Sequence, residues 1–557
     1  AYPLLEEAAR RLPELAPLLH LRAAEAALAA GEAHRALEAL ERFQAHPEER
    51  LLGEALRLTA RAAEEAGDRE RALAALEAAL DHSEADQAAQ ILFHMAQLEE
   101  RQGAYEAAQA TYQRLWEEHP EDELAREAVR AQRRLARHAP MPRAGGAALY
   151  ARARRAARAY RHEEVVRSVR LLERRAPRFP KMDRALLLLG RAQFRLRRFD
   201  RAAATFHRAA HRFPGSPLVA DLLDREVEAR LRLRQVTRAS HLTEALARRF
   251  PADPATGRAL YRIAKHHDLR GRPERARRWL TRLVRLQPTG ASTDQALWRL
   301  GWIDYREGHW AAARGHFTRL VRTFGFRSHR RVEALYWAGR CAERLGDRDG
   351  AIALYRRTLA PNRWDYFAQA AAARLAALGA EPRDPFRLLA RPVPLPDPPA
   401  TPALHRARLL ASLGLDEPAR EELAFALRHG TVPREGRLPY IVLLSRLGDH
   451  RTSLTTLRRQ YGRALIRGER DLPVAFWRAA YPLPERRLLE REARRYHLDP
   501  FLLAALIAQE SGHDPKAYSP AGAHGLMQLL WSTARRVARR VHLPLHRREE
   551  LFDPAIN

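Results

Sequence analysis

A spacing pattern, more than any single residue, limits what this chain can fold into. Ala24, Gly31, Ala36 and Leu40 recur 36 residues later as Ala60, Gly67, Ala72 and Leu76. The pattern returns as Ala96, Gly103, Tyr105, Ala108, Tyr112 and Pro120; as Gly190, Phe199, Ala202, Phe206 and Pro214; and as Ala264, Gly271, Ala276 and Pro288. Gly301, Gly308, Trp310, Ala313 and Phe317 form another copy, and Gly339, Gly346, Ala351 and Tyr355 the next. In each unit a small residue lets a first helix pack closely and Gly or a charged pair makes a turn. Ala, with an aromatic or Leu four residues on, then sits on the facing helix. Such a hairpin cannot bury its own apolar face, so neighbouring copies must stack. The expected fold is all-α, its larger part a superhelical array of helical hairpins, an α-solenoid.

These residues resemble the tetratricopeptide repeat, whose usual period is about 34. The resemblance spans Leu21 to about Ala360 and weakens between Gln132 and Pro180 and again near Arg234. It implies a concave binding surface or a scaffold and carries little chemistry.

At 557 residues the chain is long for one core, which suits several domains or a repeat array. No apolar run approaches the roughly 20 residues of a membrane-spanning helix, so no transmembrane segment is expected. The single cysteine, Cys341, excludes an internal disulfide and a cysteine-cluster metal site, and its Ala/Leu/Trp-rich surroundings read as helical core. A net charge of +30 would ordinarily suggest nucleic acid. Lys181, Lys265 and Lys516 are the only lysines, however, and the arginines are spread along helices without an aromatic-flanked basic cluster. No nucleic-acid partner is expected; attraction to an anionic cell-envelope polymer is. The histidines show no His-Glu-x-x-His spacing, His266-His267 reads as a solvated helix face, and neither a metal nor a cofactor is expected.

Composition changes after Gly379. Pro382, Pro385, Pro392, Pro394, Pro396, Pro398, Pro399 and Pro402 stop helices and favour extended chain. The expected organisation is a repeat domain over 1–380, a Pro-rich linker over 381–402, a second helical block over 403–480 with turns at Gly414, Gly430 and Gly448, and a terminal domain over 481–557.

In that terminal domain Pro484 begins a helical pattern, Asp499 is a candidate N-cap with Pro500 in the first turn, and Phe501–Gln509 reads as a helix apolar nearly all round and therefore buried. Glu510 ends it. The negative end of the helix and apolar surroundings would both raise the pKa of a carboxylate there, as a general acid requires. Gly512-His513-Asp514-Pro515 then breaks the helix, and Ser519-Pro520-Ala521-Gly522 forms a turn. Gly522, Ala523 and Gly525 allow close backbone approach before Met527 and Gln528, an apolar wall and an amide suited to sugar hydroxyl and acetamido groups.

Glu510-Ser511, Asp514-Pro515, Ser519-Pro520, Gly522-Ala523, Gly525-Leu526-Met527-Gln528 and Thr533-Ala534 together resemble the lytic transglycosylase domain of the goose-lysozyme-like group, in particular soluble lytic murein transglycosylases. Trp364, Asp365, Tyr366, Phe367 and Arg374-Leu375 are similar to the end of that family's helical domain. The resemblance implies a lysozyme-like α domain that cleaves the β-1,4 bond between N-acetylmuramic acid and N-acetylglucosamine in peptidoglycan to give 1,6-anhydro products. Glu510 would be its single acid/base, Ser511 would support Glu510, and Met527 and Gln528 would line the saccharide cleft. It also implies glycan strands as substrate, envelope proteins as partners of the repeats, and a periplasmic location, associated with the outer membrane or the cell wall. Ala1-Tyr2-Pro3 carries no leader that would report export.

Two positions depart from the family: His513 replaces a frequent aromatic residue, and Trp531 a frequent proline. Leu551-Phe552-Asp553-Pro554-Ala555-Ile556-Asn557 falls mid-domain in the family, where an Ala-Tyr-Asn-Ala-Gly-type segment follows. Nothing here matches that segment, so the lobe is expected to be partial within these residues. The alternatives are an envelope scaffold that binds glycan without cutting it and a hydrolytic lysozyme using the same acid.

Overall fold

The computed structural model describes residues 1–45, 47–359, 365–380, 393–467, 472–519 and 521–557. Among them are 29 α-helices and one two-stranded ribbon, Ala523–His524 against Leu529–Leu530. The chain forms two compact units, one of residues 1–358 with 370–380, the other of residues 359–369 with 381–557.

The first unit is built of helical hairpins, each packed on the next. Leu52–Glu65 pairs with Arg69–Leu80, Ala85–Arg101 with Tyr105–Glu118, and Ala291–Arg306 with Trp310–Phe324. The alanines of the pattern have the burial that close packing demands: Ala36, Ala72, Ala108, Ala202, Ala276, Ala313 and Ala351 are all 0% exposed. Turn chemistry repeats too. At Gly103, with φ +73°, the Gly103 N–H donates to the Glu100 carbonyl (3.1 Å) and the Ala104 N–H to the Glu99 carbonyl (3.0 Å), closing the helix with its last carbonyls satisfied.

Hairpins continue where the sequence pattern fades. Gly146–Arg158 pairs with His162–Arg175, and Val219–Arg232 with Val236–Arg249. The turns there use a non-glycine residue in the left-handed region: Tyr160 (φ +58°) and Arg234 (φ +61°) take the place of the glycine. The same closing bond persists, from Arg161 N–H to the Ala156 carbonyl and from Gln235 N–H to the Arg230 carbonyl, both 2.9 Å. A left-handed non-glycine residue costs roughly 1–2 kcal/mol, which the packed array absorbs.

Arginines join successive hairpins. Arg101 pairs with Glu64 (2.7 Å), Arg114 with Glu77 (3.0 Å), Arg134 with Glu100 (2.8 Å), Arg198 with Glu163 (2.6 Å) and Arg374 with Glu343 (2.7 Å), each partner about one repeat back in sequence. At Asp224, which is fully buried, the carboxylate accepts from Arg258 Nε at 2.8 Å and also from Arg262. Cys341 is core, and burial pushes its thiol up to about 12. His267 departs from expectation: it is 5% exposed, not solvated, because it falls on the same buried face of Pro254–Asp268 as Leu260, Ile263 and Ala264.

The second unit contains Pro402–Ser412, capped by the Thr401 hydroxyl accepting from Leu404 N–H (3.1 Å), then Asp416–Arg428, Arg437–Arg446, His450–Arg467 with a kink at Tyr461, and Val474–Ala480. Residues 393–400 carry no helix, and the Pro399 carbonyl accepts from the Tyr440 hydroxyl at 3.1 Å. Pro382, Pro385 and Pro392 lie outside the described residues, as does Trp364. No described helix is long and apolar enough to cross a membrane.

Candidate active site

Arg486–Arg495 leads into a turn in which Asp499 accepts from Phe501 N–H at 2.8 Å, with Pro500 in the first turn of the helix Pro500–Glu510. Cap and fixed φ together set where that helix starts, and so where Glu510 ends it. The helix is not buried all round. Ala504 and Ile507 are buried, but Phe501 is 66% exposed, Leu502 61% and Leu506 42%. It packs chiefly against Arg486–Arg495, and one neighbouring helix covers one side only. Glu510 is exposed, and its carboxylate makes no hydrogen bond or ion pair with the described residues. The apolar enclosure expected around it is therefore not present.

Ser511 is buried and caps the helix. Its hydroxyl donates to the Ile507 carbonyl at 3.1 Å, so its proton serves the helix end. Gly512 and His513 follow, both at positive φ (+65° and +64°). His513 is 5% exposed with no partner for Nδ1; burial first, then His450 and Arg458, push its pKa down to about 4. Asp514 is a turn former: it accepts from Lys516 N–H (2.9 Å) and pairs with Arg451 (2.8 Å).

The Gly-rich segment is a tight backbone knot. Ser519 accepts from Ala523 N–H on its hydroxyl (3.0 Å) and from Gly522 N–H on its carbonyl (2.9 Å); Pro520 lies outside the described residues. Gly525, at φ +73°, leaves no room for a side chain, since a Cβ would stand 2.1 Å from the Leu551 carbonyl oxygen and 2.3 Å from Asn557 Nδ2. Asn557 ties the segment down: its Oδ1 accepts from Met527 N–H (2.6 Å) while its Nδ2 donates to the carbonyls of His524 (2.9 Å) and Leu551 (2.7 Å). Gln528 (φ +50°) donates from Nε2 to the carbonyls of Ala517 (3.1 Å) and Gly525 (3.0 Å). Its amide nitrogen is thus spent on the loop, and its Oε1 remains the group able to accept from a ligand.

Met527 lines a cavity of about 690 Å³ with His450, Leu503, Ile507, His513 and Leu526. Glu510, Ser511 and Gln528 are not in its walls. Of the four residues singled out in the sequence, Glu510 thus presents a free carboxylate, Met527 faces a largely apolar cavity, and Ser511 and Gln528 hold backbone in place. Sequence reasoning missed Asn557 and the approach of His450 to His513, ring centroids 6.2 Å apart. Asp553-Pro554 was the available signal for Asn557: the Asp553 carboxylate accepts from Ala555 N–H (2.7 Å) and its carbonyl from Asn557 N–H (2.9 Å), turning the asparagine back.

Among the described residues, Asp304, Glu307 and His309 are the group with metal-compatible spacing, in the repeat unit. Arg277 bonds both carboxylates, and its fixed cation opposes a metal ion at that place.

With this geometry in place, likeness to known proteins is informative. Residues 487–557 match the family model of the transglycosylase SLT domain. Tetratricopeptide repeat models match residues 57–123, 184–216, 225–291 and 299–366. Among solved structures, an inactive mutant of lytic transglycosylase Slt from Pseudomonas aeruginosa is similar at 19% identity and TM-score 0.52, over 99% of this chain and 81% of that one. The 70 kDa soluble lytic transglycosylase of Escherichia coli is similar at 17% identity and TM-score 0.56, over 98% of this chain and 79% of that one. A 70 kDa soluble lytic transglycosylase in complex with bulgecin A is similar at 16% identity and TM-score 0.55, over 97% of this chain and 79% of that one. The fold is accordingly all-α: tetratricopeptide-like superhelical repeats followed by a lysozyme-like SLT domain.

Proposed function

We propose that this chain, which carries a transglycosylase SLT domain behind tetratricopeptide repeats, cleaves the β-1,4 bond between N-acetylmuramic acid and N-acetylglucosamine in peptidoglycan without adding water. The observation that carries the reading is Glu510: a carboxylate unpaired among the described residues, on an exposed helix end inside the matched domain. A glycan strand laid over it would strip its water and favour the acid form. Glu510 then gives its proton to the glycosidic oxygen as the bond from muramic C1 breaks. The resulting carboxylate takes the proton of the muramoyl 6-hydroxyl, whose oxygen bonds to C1. The products are a 1,6-anhydro sugar and a free 4-hydroxyl, and Glu510 is protonated again. One carboxylate suffices, unlike the pair used by most glycosidases. Gln528 Oε1 would accept from a sugar hydroxyl or acetamide N–H, and the place of action would be the periplasm.

The test is digestion of purified sacculi by the full-length protein, with mass spectrometry of the soluble products. Anhydro-muropeptides that vanish with Glu510→Gln are the expected result. Anhydro ends that persist in that variant overturn the assignment of Glu510. Reducing muramic ends mean a hydrolase, and bound but uncut glycan means an envelope scaffold.

A further inference from the structure

The repeat unit contains a second cavity with the makings of a site. It measures about 340 Å³ and lies between Val236–Arg249 and Pro273–Leu286, with His267 of Pro254–Asp268 in its wall. His267 is 5% exposed, and its Nδ1 is enclosed and without a hydrogen-bond partner. Buried polar atoms are nearly always satisfied, so an orphaned imidazole nitrogen at a cavity wall points to a ligand or an ordered water. Burial, then His266 and Arg275, Arg272 and Arg278, lower its pKa, so the ring is neutral near pH 7 and offers one donor and one acceptor.

The other walls are specific in character. Arg275 and Arg278 are neighbours one turn apart on the same helix, and neither makes an ion pair among the described residues, whereas Arg277 between them is tied to Asp304 and Glu307 of the next hairpin. Ser240 adds a hydroxyl, Trp279 an apolar surface, and Glu244 a carboxylate that is itself unpaired among the described residues. A bare phosphate would meet the two guanidinium groups but be repelled by Glu244 and gain nothing from Trp279. A ligand with a carboxylate for the arginines, an ammonium for Glu244 and an aliphatic body for Trp279 meets these walls where a bare phosphate does not, and a backbone amide beside its carboxylate offers a group for Ser240 or His267.

We infer that this groove binds the zwitterionic end of a short peptide, with the carboxylate on Arg275 and Arg278. Resting on the proposed function, the source is the peptide stem of peptidoglycan, which would let the repeat unit hold a strand by its stem while the SLT domain acts on glycan.

Isothermal titration of the full chain with L-Ala-γ-D-Glu-meso-diaminopimelate tests this, beside its amide at both diaminopimelate carboxyls, the all-L peptide Ala-Ala-Lys, inorganic phosphate and the N-acetylglucosamine trimer. The expected result is saturable binding of the stem peptide, weakened at least tenfold in R275A/R278A and at least threefold in Glu244→Gln, with the amide similarly weak. These side chains lie on the surface or at its edge, and an unchanged melting temperature verifies the fold of each variant. Absence of saturable binding, equal binding of amide or phosphate, or binding indifferent to both variants overturns the site. Tighter binding of Ala-Ala-Lys than of the stem peptide overturns the assigned source. Sacculus digestion by the same preparations separates the outcomes: anhydro products without peptide binding remove this site and leave the SLT reading standing.

Discussion

Glu510 could be singled out in the sequence as a candidate because its neighbours in the chain carry the motif, whereas Asn557 could not, because its three partners lie up to 33 residues away. Hydrogen bonds across such a span are written in no local pattern. Removing the Asn557 amide orphans the Met527 N–H and the carbonyls of His524 and Leu551, in a setting that is half-buried. Asn557→Ala should therefore lower stability by about 2 kcal/mol, and Gly525→Ala, which forces a Cβ into positive φ and against backbone, by at least as much. Urea unfolding followed by hydrogen exchange of residues 515–530 measures both, and unaltered exchange in Asn557→Ala would remove its role as the tie. His513, which stands where the family often has an aromatic residue, is a buried ring whose own protonation is suppressed to about 4. The folded pKa lies below the ordinary 6.5, so between pH 6.5 and 4 the unfolded chain binds a proton that the folded chain refuses. Stability held above pH 6.5 should fall through that window by on the order of 3 kcal/mol and then level off. His513→Gln should flatten this slope, a difference visible in melting temperatures at pH 7, 5.5 and 4.5; parallel slopes would refute it.

At the scale of elements, the hairpins were readable from small residues facing aromatic ones, and the structure gives the reason in distances. A Cβ at Gly190 would stand 2.3 Å from the Phe206 ring, at Gly301 2.6 Å from Phe317, and at Gly339 2.6 Å from Tyr355. Two effects of a substitution compete there. Ala in place of a helical Gly gains up to about 1 kcal/mol of helix propensity, while overpacking a closed interface costs about 1–3 kcal/mol. Overpacking wins at Gly301, so Gly301→Ala should destabilise. Gly315, in the interior of Trp310–Phe324, meets nothing within 4 Å, and Gly315→Ala should stabilise by up to about 1 kcal/mol. Opposite shifts in melting temperature for one substitution type, 14 residues apart, are the check, and shifts of the same sign would discard the packing explanation. What could not be read were the turns at Tyr160 and Arg234, where a left-handed conformation is imposed by the stack and not by the residue. The terminal helix misled in the opposite way. Its composition is that of a buried helix, but burial depends on the number of neighbours, which Phe501 and Leu502 do not encode.

For the whole molecule the net charge of +30 carries two separate meanings. Part of the arginine content is structural, since Arg101, Arg114, Arg134, Arg198 and Arg374 each pair with an acid about one repeat back. Exposed pairs of this sort contribute about 0–1 kcal/mol each, so they set hairpin register more than they set stability. Basic residues number 98 against 68 acidic ones, so an excess of positive charge has no acidic counterpart, which gives long-range attraction to a polyanion without base-specific or sequence-specific contacts. Sacculi are such a polyanion through the carboxylates of their peptide stems. The screening length falls from about 10 Å at 0.1 M salt to about 3 Å at 1 M, so attraction summed over scattered charges is lost well before short contacts in a cleft. Glu510→Gln protein, chosen because the proposed function has it leave the polymer intact, should accordingly be retained on sacculi several-fold less at 0.5 M sodium chloride than at 0.05 M, with a residual salt-resistant fraction from the SLT domain. Sedimentation of the sacculi and assay of the supernatant measure it. Retention that does not change with salt would mean that short-range contacts alone hold the polymer, and that the arginine excess serves the repeat array only.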